Sequence, residues 1–169
     1  MKDRFTSTEW AQLERLPPLL FVFVALADGR LQPEEAGKFA AEISDASRYR
    51  DPLLRDLLSG LSHPAEFQTA FQAVTGIAAT SADAIDREIA GTKALLKGKL
   101  SDEEYHRFFY SLIGIGKMVA DSAGDEKKSG FGHKKPQPGM SPEEAQSLSM
   151  LAVKFGVDIE AGKRAVERL

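Results

Sequence analysis

Ala25-Leu26-Ala27-Asp28-Gly29-Arg30-Leu31-Gln32-Pro33-Glu34-Glu35 stops one helix and starts the next. Gly29 is a helix-stop residue, and Pro33 at the first helical position with Glu35 at the third is a helix-start pattern. The pattern returns as Ala94-Leu95-Leu96-Lys97-Gly98-Lys99-Leu100-Ser101-Asp102-Glu103-Glu104. It returns again, in looser form, as Val119-Ala120-Asp121 and then Gly139-Met140-Ser141-Pro142-Glu143-Glu144. Apolar segments of helical length flank each copy, so the chain reads as a repeated helix–turn–helix unit.

Working outward, Leu19 to Ala27 is a continuous apolar run of nine residues. A membrane span needs about 20, and the run lacks the flanks of a signal peptide. It therefore predicts a buried helix, Pro18 to Asp28, preceded by a helix from Ser7 to Leu16 with a Thr6–Glu9 capping box. Further helices are predicted from Pro33 to about Arg48, from Pro52 with Leu53, Leu54, Leu57, Leu58 and Leu61, and from Pro64 through the Phe67, Phe71, Val74, Ile77 stripe. Gly76 or Thr80-Ser81 could divide the long stretch that runs on to Gly98. After Ser101, the residues Tyr105, Phe108, Phe109, Leu112, Ile113, Gly116 and Val119 keep helical spacing, the clearest amphipathic face in the chain. Gly114 and Gly116 lower helix propensity there and predict close helix contact. The last two helices start at Pro142 and Asp158. No segment alternates with period two. The fold class is all-α, a single-domain bundle of about eight helices over residues 1–169, with residues 122–139 as an inserted loop or lid.

At 169 residues the chain is long enough for one sizeable core. With 43% hydrophobic and 28% charged residues its composition is ordinary for a globular domain. A net charge of −3 gives no reason to expect nucleic acid as a partner. The absence of cysteine excludes disulfides, thiolate metal sites and cysteine nucleophiles, which fits a cytoplasmic location.

The three copies differ in one chemical respect. A helix C-terminus carries roughly −0.5 elementary charge from its unpaired carbonyls, so a cation belongs there and an anion does not. The middle copy obeys with Lys97; the first and third place Asp28 and Asp121 instead. The glutamates sit at helix starts, where they are favoured. Carboxylates beside exposed carbonyls form the oxygen-rich set that a hard divalent cation takes, with Ca²⁺ favoured. The competing reading is turn chemistry, in which an aspartate before glycine bonds to nearby backbone amides. No EF-hand loop is present.

Ala27-Asp28-Gly29-x-Leu31-x-Pro33-Glu34-Glu35, recurring as Ala120-Asp121 and Ser141-Pro142-Glu143-Glu144 after a helix pair, resembles the TerB-like family associated with bacterial tellurite resistance. The similarity covers roughly residues 18–156. It implies an all-helical, non-enzymatic, cytoplasmic stress-response protein whose acidic patch can take metal ions, with other stress-response proteins as partners. Carried over residue by residue, it points to Asp28, Glu34, Glu35, Asp121, Glu143 and Glu144 as ligands. The insertion at 122–139 departs from the family pattern by separating Asp121 from its glutamates.

The insertion carries Phe131, His133, Lys134 and Lys135, which suggests a second reading: a metal-independent interaction module whose loop binds an anion or a partner. The segment Ser129-Gly-Phe-Gly-His-Lys-Lys135 does not meet the P-loop pattern. His63, His106 and His133 lack metal-ligand spacing, and His106 reads as structural. A hydrolase built on the carboxylates ranks third, since nothing in the sequence supplies a pocket, an electrophile or a nucleophile.

Overall fold

The computed structural model describes residues 1–25, 33–123 and 142–168, and within them all side chains except those of residues 25, 33–36, 38, 82 and 121–123. Among the described residues the chain is all-helical, with no strand. The α-helices are α1 (Ser7–Leu13), α2 (Leu16–Ala25), α3 (Pro33–Ser44), α4 (Pro52–Leu61), α5 (Pro64–Thr80), α6 (Ala82–Lys99), α7 (Asp102–Ala123), α8 (Pro142–Phe155) and α9 (Ile159–Glu167). Short 3₁₀ turns occupy Lys2–Arg4 and Ala46–Arg48. No helix among them is long and apolar enough to cross a membrane.

The helix starts follow the side chains that satisfy the first free N–H groups. Thr6 and Glu9 form a reciprocal capping box, as do Ser101 and Glu104. Asp51, Ser81 and Asp158 each accept a backbone N–H three residues on, from Leu54, Ala84 and Ala161. Ser81 is what divides α5 from α6, and α5 runs through Gly76 without a break.

Some predicted boundaries shift. α1 stops at Leu13 rather than Leu16, and α2 begins at Leu16 with Pro17 and Pro18 in its first turn, where a missing N–H removes no helical bond. α3 stops at Ser44 and the chain tightens into the Ala46–Arg48 turn. Gly98 lies inside α6 instead of ending it: the stop is Leu100, extended at φ −108 and ψ 151, with its N–H on the Leu96 carbonyl at 2.9 Å. Gly156 does end α8, in the left-handed conformation at φ +66, and the Val157 N–H reaches back to the Ala152 carbonyl at 2.9 Å.

α2 and α7 form the centre. Leu16, Leu19, Leu20, Phe21, Val22 and Val24 of α2 are all buried. α7 packs against α2, α3, α4, α6, α8 and α9. That many neighbours explain why Ile115 and Ala120, off the predicted stripe, are buried together with Tyr105, Phe108, Phe109, Leu112 and Val119. Burying each large side chain contributes roughly 1.5–3 kcal/mol.

Two glycines set the closest approaches. A Cβ on Gly116 would lie 2.7 Å from Leu148 Cδ2 and 2.8 Å from Leu20 Cδ2, so α2, α7 and α8 meet there. A Cβ on Gly162 would lie 2.5 Å from the His106 carbonyl oxygen, so α9 rests directly on α7. His106 also joins the two helices by accepting the Asp158 N–H at Nδ1, at 3.0 Å. This is the structural role its isolated position predicted.

Polar groups in the core are matched. Arg107 Nε donates to Asp51 Oδ2 at 2.8 Å, and the Asp51 side chain is 1% exposed. The same carboxylate caps α4, so its remaining acceptor capacity is used, a condition for a buried ion pair to offset its desolvation. Tyr105 donates its hydroxyl proton to the Phe155 carbonyl at 2.5 Å, and burial pushes its phenol up to about 12.

Candidate functional site

Helix direction decides which of the predicted carboxylates can share a site. Arg4, just ahead of α1, pairs with Glu104 in the first turn of α7 at 2.8 Å, and farther along Leu20 meets Gly116. α2 thus contacts α7 at Gly116. α8 runs antiparallel to α7, with Phe155 beside Tyr105 and Leu148 beside Gly116.

Counting from the Leu20–Gly116–Leu148 layer, Ala25 and Asp121 stand five residues onward and Glu143 five residues back. At 1.5 Å per residue each lies about 7.5 Å from that layer. The last turn of α7 and the first turn of α8 thus occupy one end of the bundle, and the end of α2 lies five residues from the same contact. α3 joins α2 through Phe39, which stacks on Phe21 with ring centres 4.7 Å apart, and its first turn carries Glu34 and Glu35.

The individual ligands are placed unevenly. Asp28 lies outside the described residues, as do Phe131, His133, Lys134 and Lys135. The backbones of Glu34, Glu35 and Asp121 are described and their side chains are not. Glu143 is exposed, whereas Glu144, the next residue round the helix, is buried and partnered. Among the described residues no three His, Asp or Glu side chains come together. Any cation site at this end therefore draws on side chains outside those described.

The middle copy of the motif shows what the same junction looks like when its role is structural. α6 ends with Lys97 and Lys99, and the Arg4 guanidinium caps the Lys99 carbonyl. The Arg4 guanidinium, followed by the Ser101 N–H, holds the Glu104 carboxyl below its usual range. Lys97 sits 5.5 Å from the centre of the Tyr105 ring. The last turn of α7, by contrast, contains Asp121 and no basic residue.

One feature has no counterpart in the motif. A groove of about 520 Å³ lies between residues 48–50, α7 and α9, lined by Tyr49, Tyr110, Ile113, Met118 and Val166. Gly114 also lines it, about 200° round α7 from Gly116. The prediction of a close helix contact holds at Gly116 and fails at Gly114, where a Cβ would meet nothing within 4 Å. A glycine inside a helix costs about 1 kcal/mol relative to alanine, and at Gly114 no neighbouring helix requires it. Sequence periodicity could not find this groove, because its walls come from three separated segments. No family model, curated protein or solved structure matches the chain.

Proposed function

We propose that the chain is a TerB-like, non-enzymatic helical domain that binds a divalent cation, Ca²⁺ in first place, where α7 and α8 share an end. Asp28 and Asp121 would be the principal ligands, with Glu34, Glu35, Glu143 and Glu144 in support. The observation that carries this reading is the common Leu20–Gly116–Leu148 contact, from which the last turn of α7 and the first turn of α8 project to one end, with the end of α2 five residues from that contact. The 122–139 insertion separates Asp121 from Glu143 in sequence, and the antiparallel course of α7 and α8 brings their helix turns back together. A bound cation would offset the repulsion that a carboxylate adds near a helix C-terminus. In the cell this chemistry suits a cytoplasmic stress-response protein that senses or sequesters ions, or docks to partners in a metal-dependent way.

Calorimetric titration with Ca²⁺, Mg²⁺, Mn²⁺ and Zn²⁺ tests the proposal. Heat of binding and a rise in melting temperature are expected for the wild-type chain and are lost in the Asp28→Asn, Asp121→Asn double variant. No heat and no melting shift with any of the four at millimolar concentration would sink it.

A further inference from the structure

We infer that the groove between residues 48–50, α7 and α9 binds a small single-chain amphiphile bearing a carboxylate, of the fatty-acid class. Arg48, Arg50 and Lys117 line the groove and, among the described residues, no acidic residue does, so it complements a negative charge. Arg48 is engaged by the Glu42 carboxylate and by the Tyr49 hydroxyl at 3.0 Å. Arg50 is exposed and makes no ion pair among the described residues. It is therefore the group to meet the ligand's carboxylate, for which a guanidinium offers a paired donor geometry. Apart from Gly114 and Ser111, whose hydroxyl donates to the Arg107 carbonyl, the rest of the wall is aromatic, aliphatic or thioether, which suits an alkyl chain.

Size points the same way. About 520 Å³ lies within the range of roughly 300–1,000 Å³ typical of small-molecule pockets. Gly114 lines the groove, and a Cβ there would meet nothing within 4 Å, so the groove is open along this part of α7.

The test uses the full chain and calorimetric titration with dodecanoate below its micellar concentration, with dodecyltrimethylammonium in parallel. Dodecanoate is expected to bind one to one, at least about tenfold more tightly than the cation, and Arg50→Gln should weaken it about tenfold. Gly114→Leu, whose side chain enters the open groove, should remove binding with the melting temperature unchanged or raised. Arg50 is exposed, so its variant keeps the test informative if Gly114→Leu unfolds the chain. Absence of dodecanoate binding, equal binding of the two amphiphiles, or unchanged affinity in folded Gly114→Leu would each overturn the assignment. So would an acidic amphipathic peptide that displaced dodecanoate at lower concentration, since the groove would then be a protein-docking face.

Discussion

The two ends of α7 obey different rules. In the first two turns Glu104 meets Arg4 and the Ser101 N–H, Arg107 meets Asp51, and Tyr105 meets the Phe155 carbonyl. The last turn of α7 contains Asp121 and no basic residue. The contrast teaches that acidity alone marks nothing. The motif's glutamates recur at a fully structural junction, so the aspartate opposed to its helix end is what separates candidate function from folding.

The first-turn end should be costly to disturb. Arg107→Ala leaves the buried Asp51 carboxylate without its cation and should lower unfolding free energy by about 3–5 kcal/mol in urea. A loss below about 1 kcal/mol would show that this end is no more committed to folding than the other.

Tyr105→Phe tests the same end more gently. Removing the hydroxyl that donates to the Phe155 carbonyl should cost about 1–3 kcal/mol. It should also change the alkaline limb of stability. The folded phenol titrates at about 12 and the unfolded one near 10. Tyr105 therefore contributes fully below pH 10, and its contribution is lost as pH rises towards 12, because the unfolded chain releases the proton first. Melting curves of wild type and variant should converge across that window; parallel curves would contradict the burial of the phenol.

The smallest effect belongs to the far end. Without added cation, Asp121→Asn should stabilise by about 0.3–1 kcal/mol, since it relieves repulsion at the helix C-terminus. Destabilisation by a kcal/mol or more would show that the aspartate bonds to nearby amides, and would erase the distinction between the two ends.

What could be read from sequence was local. Helix spacing identified α7 and the apolar α2, and the capping boxes at Thr6 and Ser101 follow from side chains three residues apart. Gly98 misled because glycine is only one way to end a helix; the extended Leu100 does so without a left-handed residue. Gly114 and Gly116 look alike in sequence and differ only in which side of α7 has neighbours. The Asp51–Arg107 pair joins residues 56 apart, beyond any periodic pattern. Asp28 and Asp121 were legible as anomalies of charge, while their distance from one another depends on residues outside those described.

The central place of α2 also bears on how the chain is made. Its apolar surface is covered mainly by α5, α7 and α8, and α7 ends nearly one hundred residues later. At a synthesis rate of about 5–20 residues per second, α2 spends about 5–20 seconds on the ribosome before α7 is complete. A nascent chain in that interval presents an uncovered apolar helix, which is the surface chaperones bind. Slowing translation between residues 25 and 123 should therefore raise aggregation more than slowing it after residue 123.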